Sequence, residues 1–303
     1  MKDYLNEIND LIPIRRKKEE KAKLFEYVKG ELGEGRVKKE TLEGKHENII
    51  IGDIESAKII FTAHYDTPAT SLIPNMMFPA NKLFGMLIHM IYPLVLAALS
   101  LALGYLIGGL LGFDDAEVML LYLVLYFGAF FGTTMLKTNR HNKNDNTSGV
   151  TTIMSIASET RDERVAFVLF DNEEKGLLGS KAFNKKHKQL LSKKLVVNFD
   201  CVGNGDQMIF IPKSGAEGLP EYEALRSVAN SDENIEVHYI PFKKSLGNSD
   251  HKSFPCGVGV VAARRGKVVK FFTGRIHTER DTVADSKNVY FLKERMLQLI
   301  NRI

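Results

Sequence analysis

Three apolar runs in this 303-residue sequence end on residues that bind metals or move protons. Ala57-Lys58-Ile59-Ile60-Phe61 leads into His64-Tyr65-Asp66, Val165-Ala166-Phe167-Val168-Leu169-Phe170 into Asp171-Asn172-Glu173-Glu174, and Lys194-Leu195-Val196-Val197-Asn198-Phe199 into Asp200. Asn144-Asp145-Asn146 stands between the first two runs, and His277 lies near the C-terminus. Ligands of open α/β sheets bind beyond the carboxyl ends of the strands, so these groups are expected to converge. Two histidines and three carboxylates make five ligands, enough for two metal ions that share one bridge. Nitrogen and oxygen donors without thiolate suit catalytic zinc or a similar divalent ion, with cobalt or manganese as alternatives.

Each piece also has an ordinary reading. Asp145 is placed to cap a helix, Glu173-Glu174 reads as a solvated acidic turn, and a lone His277 after an apolar run is commonly structural. Taken together the pieces favour the metal site. His64-x-Asp66 supplies an imidazole and a carboxylate to fix its tautomer. Adjacent Glu173 and Glu174 point in different directions, so one is free to bind metal while the other faces water. Hydrolysis by metal-activated water needs that division of labour. Asp200 follows an apolar strand, where an unpaired carboxylate is costly to bury.

The elements that must position these residues are legible in outline. Residues 1–32 read as helix interrupted at Pro13, and short strands are expected around Val37, at Asn48–Ile51 and at Lys58–Thr62. Residues 67–81, with three prolines, read as a linker. Thr147-Ser148 is expected to cap a helix through Val150, Ile153, Met154 and Ala157. Strands at 165–170 and ending at Asp200 enclose a helix starting near Gly176. Met208–Ile211, Ile235–Ile240, Val258–Ala262 and Val268–Phe272 read as further strands and Glu221–Ala229 as a helix. A last helix, capped by Asp285 or Ser286, presents Val289, Leu292, Met296, Leu299 and Ile303 on one face. Helices alternating with apolar strands indicate an α/β three-layer sandwich with a mixed, largely parallel central sheet.

Composition sets the remaining bounds. The net charge of +4 comes from 41 basic and 37 acidic residues, which is no nucleic-acid footprint. Arg15-Arg16-Lys17-Lys18, followed by Glu19-Glu20, reads as a solvated helix face. Cys201 and Cys256 have no paired spacing, so no disulfide framework is expected. MKDYLNEIND lacks an apolar core, so no secretory signal is expected. Leu83 to Phe113 carries no charge, and after Asp114, Asp115 and Glu117 a second uncharged run extends from Val118 to Leu136. A spanning helix needs about 20 apolar residues, so residues 82–136 are expected to form a transmembrane helical hairpin that contacts the bilayer through 83–136. Gly104, Gly108 and Gly109 would let its helices approach closely. A hydrophobic hairpin buried in a lid or dimer interface is the alternative. The chain then divides into a discontinuous catalytic domain, 1–81 and 137–303, and the inserted hairpin, 82–136.

The ordered set His64-x-Asp66, Asn144-Asp145-Asn146-x-Ser148-Gly149, Glu173-Glu174-x-Gly176-Leu177-x-Gly179-Ser180, Asp200, Ser249-Asp250-His251 and His277 resembles the co-catalytic di-zinc peptidases of family M28, which include bacterial aminopeptidases, glutamate carboxypeptidases and related glutaminyl cyclases. The resemblance implies a zinc-exopeptidase-like fold and two zinc ions. It places His64 and Asp200 on one ion, Glu174 and His277 on the other, and Asp145 between them. It makes Glu173 the general base and gives Asp66 and Asp250 supporting roles. Some family aminopeptidases carry a tyrosine at the positions of Ile276 or Leu246 here, so His251 or Arg275 is left as the candidate oxyanion or substrate contact. The hairpin is a second departure from the soluble members.

The expected activity is that of a membrane-anchored aminopeptidase acting on peptides. A carboxypeptidase or other amide hydrolase, a cyclase acting on N-terminal glutamine, or a non-catalytic receptor-like relative are the alternatives. Lys82, Lys137, Arg140 and Lys143 flank the open end of the hairpin while its tip is acidic, which predicts a cytoplasmic catalytic domain. Leu136 precedes Asp145 by nine residues, a reach of about 30 Å at most. The active site is therefore expected near the bilayer, with a preference for apolar peptides or N-termini exposed there.

Overall fold

A computed structural model describes residues 2–73, 75–135 and 137–303. Helices α1 (Tyr4–Leu11) and α2 (Lys18–Leu32) precede strands β1 (Val37–Leu42), β2 (His46–Ile51), β3 (Ile59–His64), β4 (Ala69–Thr70) and β5 (Asn75–Met77). Two long helices follow, α3 (Lys82–Leu111) and α4 (Asp115–Thr134), then β6 (Lys137–Thr138), α5 (Ser148–Glu159) and β7 (Val165–Phe170). The chain continues through α6 (Leu178–Lys186), α7 (Lys188–Leu191), β8 (Leu195–Phe199), β9 (Gln207–Pro212), α8 (Pro220–Val228) and β10 (Glu236–Tyr239). It ends with β11 (Gly257–Arg265), β12 (Phe271–Ile276) and α9 (Ser286–Arg302). Pro74 and Leu136, in the expected linker and at the end of the expected hairpin, lie outside the described residues.

Alternation inside single strands sets the layering. In β7, Val165, Phe167 and Leu169 join one apolar cluster, whereas Ala166, Val168 and Phe170 join another. Both faces are therefore buried, as period-two side chains require when helices cover a sheet on each side. The first face is covered by residues such as Leu24 and Val28 of α2, Ile153 of α5, Leu225 of α8 and Leu292 of α9. The second is covered by Ala182 and Phe183 of α6 and Leu191 of α7. Each fully buried valine, leucine, isoleucine or phenylalanine among them contributes about 1.5–3 kcal/mol through removal from water.

The sheet runs β1-β2-β7-β3-β8-β11-β12-β5, with β9 also paired to β11 and β10 to β9. β3 is parallel to β7 and β8, and β11 is parallel to β8, so a parallel centre carries antiparallel flanks. This is the three-layer sandwich with a mixed, largely parallel sheet expected from the sequence. The carboxyl ends of β3, β7 and β8 lie side by side, which brings the residues after each strand to one edge.

Several local readings change. The proline-bearing segment 67–81 is not a plain linker, because β5 pairs antiparallel with β12 and β4 with β6, while Pro68 and Pro79 sit outside the strands. The last strand starts at Phe271 rather than Val268, which is 89% exposed in the turn after β11. Thr147 holds the N-cap position of helix α5, but its side chain bonds Asn142, and Asn146 Oδ1 accepts the Gly149 N–H at 3.0 Å in its place. Arg15 is not part of a solvated face. It is fully buried, and its guanidinium donates to the carbonyls of Tyr65 (2.5 Å) and Ile12 (3.0 Å) and to Asn142 and Thr147. Cys201 and Cys256 are free thiols, both buried.

α3 and α4 pack against each other and are long and apolar enough to cross a membrane. Their outer surfaces remain exposed apolar residues such as Leu106, Leu110, Leu120 and Val124. Gly108 abuts Val118 and Gly104 the backbone of Tyr122, whereas Gly109 faces open space and takes no part in the contact. The pairing of Ala69 with Thr138 and Thr70 with Lys137 ties the entry of the helix pair to its exit.

Candidate metal centre

His64 is the last residue of β3, Glu173 and Glu174 follow β7 by one short turn, and Asp200 follows β8 directly. Asn172 and Cys201 hold positive φ values of 54° and 56°, which turn the chain sharply just past these strand ends. Asp145 arrives on the loop before α5, and His277, at φ 60°, follows β12. All five residues that the sequence singles out as ligands lie together; Asp145, Glu174, Asp200 and His277 line one cleft, and His64 is buried beside them.

Two overlapping clusters form there, His64-Asp145-Asp200 and Asp145-Glu174-His277. Asp145 belongs to both and divides its oxygens between them. Its Oδ1 lies 3.3 Å from His64 Nε2 and its Oδ2 lies 3.1 Å from His277 Nε2. His64 Nε2 is also 3.5 Å from Asp200 Oδ1, and His277 Nε2 is 3.3 Å from Glu174 Oε2. Atoms bound about 2.0–2.1 Å from one tetrahedral zinc are separated by about 3.4 Å, so these spacings fit metal coordination. Asp200 Oδ1 and Glu174 Oε1 are buried without a hydrogen-bond partner, as atoms reserved for a cation are. Glu173 also lies close enough to His64 and Glu174 to form a third grouping.

The electrostatics point the same way. Burial opposes a charge on His277, yet Glu174 and Asp145 raise it to about 9. Burial likewise opposes a charge on His64, but Glu173, Asp145, Asp200 and Asp66 hold it well above its usual range. Glu174 is pushed up to about 8, first by desolvation, and Glu173 is raised well above the ordinary carboxylate range by desolvation and by Glu174, Asp250 and Asp200. So many carboxylates in so little water demand positive charge, which divalent ions would supply.

Two further carboxylates fix the loops. Asp66 receives the backbone N–H groups of Glu173 (3.0 Å) and Glu174 (3.3 Å). This adds to its expected role beside His64, whose Nδ1 meets the Asp66 carbonyl at 3.2 Å and its carboxylate at 3.6 Å. Asp281, which sequence reasoning missed, does the same for the other loop by accepting from Asn144 N–H (3.1 Å) and Asp145 N–H (2.9 Å). Below Glu173, the buried Lys21 ammonium pairs with Asp171 and bonds Asn172 at 3.1 Å.

The remaining candidates lie elsewhere. Asp250 is fully buried with both oxygens unpartnered and is raised to about 7 by desolvation. His251 is also buried, with both ring nitrogens unpartnered, and desolvation lowers it to about 4, so it is neutral. Neither lines the open cleft, and Arg275 is exposed outside it. His251 instead lines a narrow recess beside the cleft, together with Asp200, Met77 and Asn248. The cleft, of about 710 Å³, is walled by Leu246 and by residues that site reasoning did not reach, including Met76, Met77, Met86, Met90 and Asn248.

A model of the family described as Peptidase family M28 matches residues 136–297. No curated protein sequence matches the chain. Among solved structures, the fold is similar to that of Porphyromonas gingivalis glutaminyl cyclase, with a TM-score of 0.59 and 14% identity, covering 99% of this chain and 96% of that one. It is similar to Legionella pneumophila LapA aminopeptidase, with a TM-score of 0.55 and 15% identity, covering 99% and 68%. It is also similar to Fimbriiglobus ruber glutaminyl cyclase, with a TM-score of 0.52 and 16% identity, covering 98% and 92%.

Proposed function

The chain belongs to peptidase family M28 and is a metallopeptidase of zinc type, and from that premise we propose that it is a membrane-anchored aminopeptidase with two zinc ions. The observation that carries this reading is the division of Asp145 between two clusters, one carboxylate oxygen facing His64 and the other facing His277. His64 and Asp200 would hold one ion, Glu174 and His277 the other, and Asp145 both. Bound zinc supplies Lewis acidity toward a peptide carbonyl and lowers the pKa of water.

The chain's own residues do the rest. Glu173 takes the proton of the attacking water and returns it to the nitrogen of the leaving amine. Asp66 keeps Glu173 and Glu174 in register by holding both backbone amides, and Asp281 does so for Asp145. With such supports the reacting groups need little reorganisation during the reaction.

The same reading makes 1–81 and 137–303 a discontinuous catalytic domain and 82–136 its membrane anchor. Exposed apolar faces along α3 and α4 support the anchor, because water-facing surfaces of that extent are rare. The acidic tip at Asp114, Asp115 and Glu117, against Lys82, Lys137, Arg140 and Lys143 at the open end, supports a cytoplasmic catalytic domain.

Hydrolysis of unblocked and N-acetylated peptides by the detergent-purified protein with zinc tests the activity. Cleavage confined to unblocked peptides is expected. Cleavage of blocked peptides would indicate another amide hydrolase. Loss of ammonia from N-terminal glutamine without uptake of water would indicate a cyclase.

A further inference from the structure

We infer that the first turns of α3 are a specificity element of the active site. Met86 and Met90, with Met76 and Met77 of β5, form the subsite that receives an apolar side chain on the substrate's N-terminal residue. This rests on the aminopeptidase reading and adds to it the residue class and the wall that selects it.

The first observation is a mismatch in length. α3 has 30 residues and α4 has 20, about 45 Å against about 30 Å at 1.5 Å per residue. The two helices are level near their turn, where Gly108 meets Val118, and again where Tyr92 stacks on Phe130 at 6.4 Å and bonds Thr133. Residues 82–91 therefore overhang the end of α4. Since about 20 residues suffice to cross a bilayer, the overhang is the part of α3 left outside the hydrocarbon.

That overhang lies on the catalytic cleft. Lys82, Met86, His89 and Met90 line it together with His277 and Leu246. The contact is close because Gly85 has no side chain: a Cβ there would come within 2.5 Å of Leu246 Cδ2. His89 Nε2 meets the Met76 carbonyl at 2.8 Å. β5 in turn pairs Asn75 with Ile276, and Ser71 N–H donates to the His277 carbonyl at 2.7 Å. The wall is thus tied to the strand that delivers His277, so wall and candidate metal centre keep one geometry.

Chemistry then selects the occupant. Met86 and Met90, four residues apart, share one helix face and are 45% and 52% exposed. Thioether chains adapt to apolar groups of different shape, such as the side chains of leucine, methionine and phenylalanine. Lys82 and Lys252 also line the cleft and oppose a lysine or arginine in that position.

The test uses the full-length protein in detergent with zinc. Met90→Cys introduces an accessible thiol beside two buried native ones. Leucine amide at about ten times its Kd is expected to slow maleimide alkylation of that thiol about tenfold, with lysine amide leaving the rate unchanged. Met86→Glu is expected to lower the ratio of kcat/KM for leucyl over lysyl peptides about tenfold with metal content unaltered. Alkylation indifferent to leucine amide, or an unchanged leucyl-to-lysyl ratio, overturns the subsite. A thiol protected by leucine amide in a protein that cleaves no unblocked peptide would keep the subsite and refute the aminopeptidase reading.

Discussion

Asp281 holds Asp145 from behind: its carboxylate accepts the Asp145 backbone N–H at 2.9 Å and that of Asn144 at 3.1 Å. A carboxylate with one oxygen on each amide fixes both the position and the rotation of the loop that presents Asp145 to its two clusters. Replacing Asp281 by Asn turns one acceptor into a donor that faces an N–H. Zinc affinity measured by competition with a chelator is expected to fall about 10–100-fold, as losses of supporting carboxylates commonly cause. Unchanged affinity would assign Asp281 to general folding.

Glu173→Gln separates proton transfer from metal binding. Turnover is expected to fall about 10²–10⁴-fold, the range general acid–base groups supply, while zinc per chain stays at the wild-type value. Because Glu173 also lies near His64 and Glu174, loss of metal together with activity would make it a ligand instead.

Arg15 carries a structural prediction. Arg15→Met keeps most of the volume but takes their buried donor from the Tyr65 and Ile12 carbonyls and from Thr147, leaving Asn142 Oδ1 with Thr147 alone. A loss of about 3 kcal/mol is expected from unsatisfied buried acceptors, visible as a lower thermal midpoint. Arg15→Lys is expected to recover part of it, since one ammonium reaches fewer of these partners.

His251 supplies a pH dependence. Its imidazole, 6.5 in the unfolded chain, is lowered to about 4 chiefly by burial, with Asp200 opposing that shift and Lys213 and Lys252 adding to it. The unfolded chain binds this proton more readily, so the contribution to stability is whole above pH 6.5 and is lost as pH falls toward 4. The difference amounts to about 3 kcal/mol at 1.4 kcal/mol per unit. Thermal midpoints measured from pH 7 to 4 should fall less steeply in His251→Gln than in the wild type; parallel slopes would remove His251 from the acid response.

Topology is open to a direct check. With the catalytic domain on the cytoplasmic side, an externally added protease should leave residues 137–303 intact in sealed right-side-out vesicles and digest them in inverted ones. The reverse pattern would overturn the sidedness drawn from the flanking lysines.

Much of this was legible because strands buried on both faces are long apolar runs, and their ends are where chemistry collects. His64, Glu173, Glu174 and Asp200 stand out on that ground alone. Asp281 does not, since a lone aspartate in a polar turn looks like any other until the Asn144 loop folds onto it. Arg15 misled for a related reason: four basic residues in a row read as solvated, and it takes tertiary packing to bury one of them beside the Tyr65 carbonyl. The second role of Asp66 was hidden because two residues of separation suggested only His64, whereas its carboxylate also takes the Glu173 and Glu174 amides just past β7. The cleft wall was hidden by a hydropathy that describes α3 as uniform, although its first ten residues extend past the end of α4.

Zinc stoichiometry tests the central claim most directly. Titration of the metal-free protein, with metal per chain measured after gel filtration, is expected to give two ions for the wild type, one for His277→Ala and one for His64→Ala, and loss of both for Asp145→Ala. One ion in the wild type, or an Asp145→Ala protein that still binds two, would contradict a centre built around a shared Asp145.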